Sequence, residues 1–181
     1  MGYLVFSCSL NPESRSLILA RRVTELLRAK GAEVELVDIR ELNLPACDGD
    51  ACYDDPNVEK LRAKIEAAHG TLIASPIYNF GVAASTKNLI ELTGAAWTKK
   101  VVGFLCAAGG RSSYMSVMGL ANSLMLDFHS VIVPRFVFAG DDSFEGDDIA
   151  DPAVVERLDD LADTLILFGV ALQKYSGPGA E

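Results

Sequence analysis

A parallel α/β fold, one sheet with helices packed on both faces, is predicted by three observations on this 181-residue chain. Short apolar runs alternate with helix-period segments along its whole length. The runs at 3–8, 71–74 and 101–106 are nearly continuously apolar, as strands buried on both faces of a parallel sheet must be. Right-handed crossovers between such strands leave few arrangements other than a sheet held between two helix layers.

Each element has its own signal. The first strand, 3–8, runs into a hydroxyl-rich turn and then a helix over 17–30. In that helix Leu19, Val23, Leu26 and Leu27 recur at helical spacing, and Gly31 marks its end. A second strand is expected at 33–39. The next helix opens at Asp55-Pro56, an N-cap followed by Pro at the first helical position, and carries Val58, Leu61 and Ile65. A strand at 71–74, a helix over 83–92, a strand at 101–106 and a helix over 113–128 follow. The fifth strand is expected at 131–138. Residues 141–151 are acidic and read as a solvated loop. The last helix opens at Asp151-Pro152 and sets Leu158, Leu161, Leu165, Phe168 and Leu172 on one stripe. No repeat or linker interrupts the chain, so residues 1–175 are expected to form one domain, with 176–181 a loose tail. The length, and the polar turn after the first strand, favour a flavodoxin-like three-layer sandwich: a five-stranded parallel sheet in the order 2-1-3-4-5, with helices on both faces. Ligands in such sheets bind beyond the carboxyl ends of the strands, where the strand order reverses. The turns after strands one, three and four should therefore build the site.

Composition narrows the choice of partner. A chain of this size can bury roughly 70% of its unfolded surface. A net charge of −9 argues against nucleic acid and anionic membrane surfaces as partners. No apolar run approaches the roughly 20 residues needed to span a bilayer. The amino terminus has no basic segment leading into an apolar stretch, so a cytoplasmic protein is expected. Of the four cysteines, Cys8 and Cys106 close apolar runs and should be reduced. Cys47 and Cys52 lie in a polar loop at a C-x4-C spacing. Without a second pair they make a poor metal site, and a free surface thiol pair is the expectation.

The first turn reads Ser7-Cys8-Ser9-Leu10-Asn11-Pro12-Glu13-Ser14-Arg15-Ser16. Its hydroxyls and amides, with the positive end of the following helix, converge as an anion site requires. Ser9, Asn11, Ser14 and Ser16 together exceed what a helix cap needs. The turn lacks the spacing of a nucleotide-triphosphate loop and the glycines that admit a bridging pyrophosphate, so a terminal monophosphate such as that of FMN suits it better. After the third strand stands Ser75-Pro76-Ile77-Tyr78-Asn79-Phe80-Gly81. Tyr78 and Phe80 could line or stack on a flat ring, Asn79 can donate and accept, and Gly81 allows close backbone approach. After the fourth strand, Ala108-Gly109-Gly110-Arg111 exposes amides that could face ring carbonyls.

With these motifs in hand, residues 4–172 resemble the NADPH-dependent FMN reductase family of flavodoxin-like enzymes, which includes quinone, azo-dye and chromate reductases. The family's first turn has a Gly-Ser-x-Arg-x-x-Ser-x-Asn character. Here Ser9, Ser14 and Ser16 stand where phosphate-binding groups are expected, while Cys8 replaces the Gly and Asn11 the Arg. Losing that Arg removes a charge-assisted phosphate contact, for which Arg15 is a candidate substitute. The family's Pro-x-Tyr-Asn is matched by Pro76-Ile77-Tyr78-Asn79, its Leu-Lys-Asn by Thr86-Lys87-Asn88, and its Gly-rich third turn by Gly109 and Gly110. The resemblance implies that Tyr78, Asn79, Phe80 and Gly81 hug one side of the isoalloxazine and that Ala108 to Arg111 hold its pyrimidine edge.

By the same resemblance the chain is expected to be a flavoenzyme with FMN as cofactor and NADPH or NADH as donor. Hydride would pass to flavin N5 and on to a small-molecule acceptor such as a quinone or free flavin. One exposed ring face serving both substrates predicts ping-pong kinetics. The flavin carries the redox step, so no catalytic acid or base is assigned; His69, His129, Lys87 and Asp127 are read as structural. Arg111, at the expected cleft edge, is a candidate contact for a phosphate of NADPH. The apolar helix over 113–128 suggests a homodimer or homotetramer. The alternatives are a flavodoxin-like electron carrier and a flavin-binding sensor, neither of which would oxidise NADPH.

Overall fold

A computed structural model describes residues 2–175. The amino-terminal strand β1 (Gly2–Ser7) lies at the middle of the sheet, paired in parallel with β2 (Glu33–Asp38) on one side and β3 (Gly70–Tyr78) on the other. Beyond β3 a short strand, β4 (Gly81–Val82), folds back antiparallel on its end, and β5 (Val101–Ala107) pairs in parallel along its length. The fifth parallel position is shared by β6 (Val131–Ile132) and β7 (Val137–Ala139), which pair with successive halves of β5. With these two counted as one broken strand, the parallel order is the expected 2-1-3-4-5. The continuous strand expected at 131–138 is therefore corrected. Pro134 has no amide to give the ladder, and Arg135 adopts φ 61°, so the chain leaves the sheet between the two pieces.

The helices are α1 (Arg15–Ala29), α2 (Pro56–Ala67), α3 (Ala84–Thr93), α4 (Met118–Phe128) and α5 (Pro152–Tyr175). Their ends follow the sequence signals. The Asp55 carboxylate accepts the Asn57 amide at 2.7 Å, and Gly31 closes α1 at φ 80°. The helix expected over 113–128 begins as a 3-10 turn, Tyr114–Val117. The loop expected at 141–151 is instead structured: a 3-10 turn at Asp141–Ser143 with Ser143 buried, then a hairpin of β8 (Phe144–Glu145) and β9 (Asp148–Ile149). The tail at 176–181 lies outside the described residues.

The period-2 geometry of β1 divides two cores. Leu4 and Phe6 face α2, α3 and α4, where they meet Leu61, Ile65, Leu89 and Leu124 around the fully buried Trp97. Tyr3 and Val5 face α1 and α5 and meet Leu19, Val23, Leu27, Leu158 and Leu161. Burying each large aliphatic side chain contributes roughly 1.5–3 kcal/mol, and both sheet faces are covered. What the cores leave uncovered is the carboxyl end of the parallel strands, where three strand-to-helix connections meet.

Candidate functional site

The first connection is wound tightly by its own side chains. The Ser9 hydroxyl accepts the Asn11 amide at 3.1 Å, and the Asn11 carbonyl accepts the Glu13 amide at 3.0 Å. Ser14 occupies the N-cap of α1 but makes no cap hydrogen bond; its hydroxyl lies 2.8 Å from that of Ser16 instead. The first turn of α1 holds no acidic residue. Three hydroxyls, those of Ser9, Ser14 and Ser16, are thus buried at a helix start that no side chain caps. An anion placed there meets the positive end of the helix with no carboxylate in the turn of helix behind it. Arg15 is tied to the opposite wall of the turn. Its guanidinium donates to the Asp141 carbonyl at 2.7 Å, pairs with the Asp141 carboxylate at 2.9 Å, and lies over the Phe144 ring.

The second connection is a two-residue hairpin rather than a loose turn, because β3 continues through Ser75 and Pro76 to Tyr78. Ile77 pairs with Val82 and Tyr78 with Gly81, leaving Asn79 and Phe80 at the tip with φ 50° and 62°. Positive φ at both central residues is the hairpin geometry that Asn tolerates and that Phe adopts only under strain. Such strain persists where surrounding structure enforces it. Here the base of the hairpin is bolted down: the Ser75 and Thr86 hydroxyls lie 2.7 Å apart, the Ser75 oxygen accepts the Ala83 amide, and Ser85 donates to the Cys8 carbonyl at 2.6 Å. Tyr78 and Phe80 remain 56% and 69% exposed, an unusual cost for two aromatics unless something covers them.

In the third connection the Ala108 amide donates to the Ala139 carbonyl, carrying the β5–β7 pairing one step beyond the strands. Gly109 and Gly110 follow, and a methyl group added to either would meet no protein atom within 4 Å. The fold does not demand glycine there, so the bare backbone is open to whatever fills the space. Arg111 turns away. It pairs with Asp142 at 3.0 Å and Asp151 at 3.8 Å, and lines a neighbouring cleft of about 340 Å³ with Tyr114, Phe136, Phe138 and Arg157.

Between the three connections lies a cleft of about 380 Å³. It brings together nine residues expected from the sequence: Ser9, Asn11, Ser14, Arg15, Ser16, Pro76, Tyr78, Ala108 and Gly109. Asn79, Phe80, Gly81, Gly110 and Arg111 are not among the residues lining it. Glu13, Ile77, Ala107 and Asp141 line it and were not foreseen. Glu13 lay within the turn already singled out, whereas Asp141 has no local signal and arrives only because β7 delivers the following segment to the cleft. The signature residue Asn88 lies elsewhere: it accepts the Cys47 amide at 2.8 Å and donates to the Pro45 carbonyl at 2.9 Å, pinning the loop after β2 to α3. His69 is also outside the cleft, its ring edge-on to Tyr3. The donor set suits FMN at three points: buried hydroxyls at an uncapped helix start for a phosphate, the exposed Tyr78 for a flat heterocycle, and unobstructed glycine backbone at Gly109 for its polar edge.

Residues 1–145 match the model of a family described as NADPH-dependent FMN reductase. An NADPH:quinone oxidoreductase of Arabidopsis thaliana is 31% identical over 153 residues, covering 79% of this chain and 78% of the relative. An FMN reductase (NADPH) of Pseudomonas putida is 27% identical over 171 residues, covering 92% and 86%. Among solved structures, a flavoenzyme NAD(P)H:(acceptor) oxidoreductase from Paracoccus denitrificans superposes with a TM-score of 0.77 at 19% identity, covering 94% of this chain and 97% of that one. At that identity the likeness speaks for the fold.

Proposed function

We propose a site and a reaction for this chain, which belongs to the NADPH-dependent FMN reductase family and is an oxidoreductase using FMN and a nicotinamide donor. FMN is held in the cleft over β1, β3 and β5; hydride is taken from NADPH or NADH, and electrons leave to a quinone or a free flavin. The observation that carries this reading is the conjunction, across one cleft, of an uncapped helix start with buried hydroxyls and the exposed Tyr78 of a rigid hairpin.

Ser9, Asn11, Ser14 and Ser16, with the first amides of α1, hold the phosphate. Pro76, Tyr78, Asn79, Phe80 and Gly81 flank one side of the isoalloxazine, and the backbone of Ala108, Gly109 and Gly110 meets its pyrimidine edge. Bound there, FMN supplies hydride acceptance at N5 and onward electron transfer. The chain's share is to fix the ring, exclude water from one face and leave the other open to donor and acceptor in turn. That sharing predicts ping-pong kinetics with parallel double-reciprocal lines; intersecting lines would count against it. Arg111, two strand ends from the hydroxyl turn, is the contact for a phosphate of NADPH, and an unchanged nicotinamide KM in Arg111→Ala would remove it from that role. Residues 1–175 act as one flavin-binding unit in a cytoplasmic homodimer or homotetramer; the exposed Tyr114, Met115, Met118, Met125 and Leu126 on α4 and the turn before it support the self-association. The test is an absorbance spectrum of the purified protein followed by anaerobic NADPH. Flavin bands that bleach at once, and steady turnover with a quinone, are expected. Bands that persist would favour a carrier or sensor, and no bands after incubation with FMN would overturn the site.

A further inference from the structure

The loop between β2 and α2 holds two sulfurs in an arrangement that the flavin cleft does not use. Cys47 Sγ and Cys52 Sγ lie 3.9 Å apart. The Tyr53 hydroxyl is 3.6 Å from Cys47 Sγ, and the Arg62 guanidinium lies over the Tyr53 ring while donating to the Leu92 carbonyl. The backbone on both sides of the pair is pinned. The Cys47 amide donates to Asn88, and the Asp48 carboxylate accepts the amides of Asp50 and Cys52. Cys52 is buried with Val58 and Leu92, which corrects the expectation of a surface thiol pair: only Cys47 is partly open to solvent. The other two cysteines differ in kind. Cys8 and Cys106 are buried in the core, where loss of hydration pushes both thiols up to about 12.

We propose that Cys47 and Cys52 form a reversible disulfide, making this loop a thiol-exchange site for low-molecular-weight disulfides of the glutathione type. Two sulfurs this close, on a backbone whose amides Asn88 and Asp48 hold, are placed to reach bonding distance without unfolding the loop. Exposure assigns the order of events. Cys47, as thiolate, attacks one sulfur of the small disulfide; a Cys47–glutathione mixed disulfide forms and one glutathione thiolate leaves. Cys52 then loses its proton to solvent and attacks the Cys47 sulfur, expelling the second glutathione. Two cysteine thiols and one glutathione disulfide become one protein disulfide and two glutathione thiols, so electrons and protons balance without the flavin. Burial and the Asp48 carboxylate both push the Cys52 thiol upward, so it is the slower nucleophile and the more open Cys47 is the entry point. Because Asn88 ties Cys47 to α3, ring closure also fixes the loop against the helix that follows the aromatic hairpin.

The experiment treats the full chain with oxidised glutathione, quenches with an alkylating reagent, and reads intact mass and peptide map. The expected result is a loss of two hydrogens, with Cys47 and Cys52 protected from alkylation and linked in one peptide, reversed by a dithiol. Cys52→Ser should stop at a single glutathione on Cys47, and Cys47→Ser should gain none. Cys8 and Cys106 serve as internal controls, alkylated only after denaturation in every sample. Full alkylation of both loop cysteines after treatment would overturn the proposal, as would a stable glutathione adduct on wild-type Cys47 that never closes. Stoichiometric zinc on the reduced protein, lost in Cys47→Ser, would overturn it by making the pair metal ligands.

Discussion

Ser14 stands where the reading of the cleft is most exposed to failure. Its hydroxyl is buried against that of Ser16 at the start of α1, and it caps nothing. If a phosphate sits there, Ser14→Asp sets a carboxylate within ~5 Å of it, a repulsion of about 3 kcal/mol per charge pair at an effective dielectric near 20. Kd for FMN should rise at least ~30-fold by equilibrium dialysis or flavin fluorescence. An unchanged Kd would mean that the ligand phosphate lies elsewhere. Arg15 offers the opposite test. Among the described residues it is the one cation lining the cleft, and Asp141 holds it by both carboxylate and carbonyl. Both partners are well exposed, so the pair itself is worth little. Asp141→Asn removes a negative charge from the cleft wall and loosens Arg15 toward the phosphate. FMN should bind about two- to fivefold tighter, the effect of roughly 0.5–1 kcal/mol. Weaker binding would show that Arg15 is useful only where Asp141 holds it.

At the scale of elements, what could be read from the chain was whatever a local pattern forces. Continuous apolar runs marked β1, β3 and β5 because both faces of those strands are buried, and Asp55-Pro56 and Gly31 marked helix ends because backbone geometry demands such residues there. The broken fifth strand was missed because the apolar residues on either side of Pro134 are the same whether the strand runs through or leaves the sheet. The hairpin at 144–149 was missed because its strands are two residues each, too short to show an alternating pattern, and because Arg15, which holds Asp141 and lies over Phe144, is far away in sequence. Asn88 is the most telling case: motif likeness drew attention to it, but only the fold reveals that both ends of its amide are spent on the loop after β2. Removing those two half-buried bonds in Asn88→Ala should cost about 1–2 kcal/mol of stability. Limited proteolysis should then cut residues 44–54 before any other segment, while the flavin spectrum stays as in the parent. A parent-like denaturation midpoint, or first cleavage elsewhere, would show that the loop is held by its buried Cys52 rather than by α3.

For the whole molecule, acidification pits two effects against each other. Lowering the pH toward the isoelectric point near 4.7 discharges a chain that carries −9 at neutrality, and this relieves self-repulsion. Specific groups pull the other way. Burial lowers the His69 pKa, helped by the charge of Lys100, and the ring's Nδ1 is buried with no partner among the described residues. Burial tends to raise the Asp38 carboxyl, but hydrogen bonds from Arg40 outweigh it and hold the group below its usual range. The Cys52 thiol and two loop amides hold Asp48 at about 2. All three groups therefore bind protons more weakly when folded than when unfolded, so their share of stability rises with pH and is lost on acidification. His69 loses its share first, as the pH falls below the ordinary histidine value of 6.5; the carboxylates lose theirs only below their ordinary 3.8. Charge relief acts on every variant alike, so a substitution separates the two effects. The Tm of the parent minus that of His69→Gln should decline as the pH falls from 7 through the window below 6.5. A difference that stays flat across it would mean that the folded protein takes up a proton at His69 as readily as the unfolded chain.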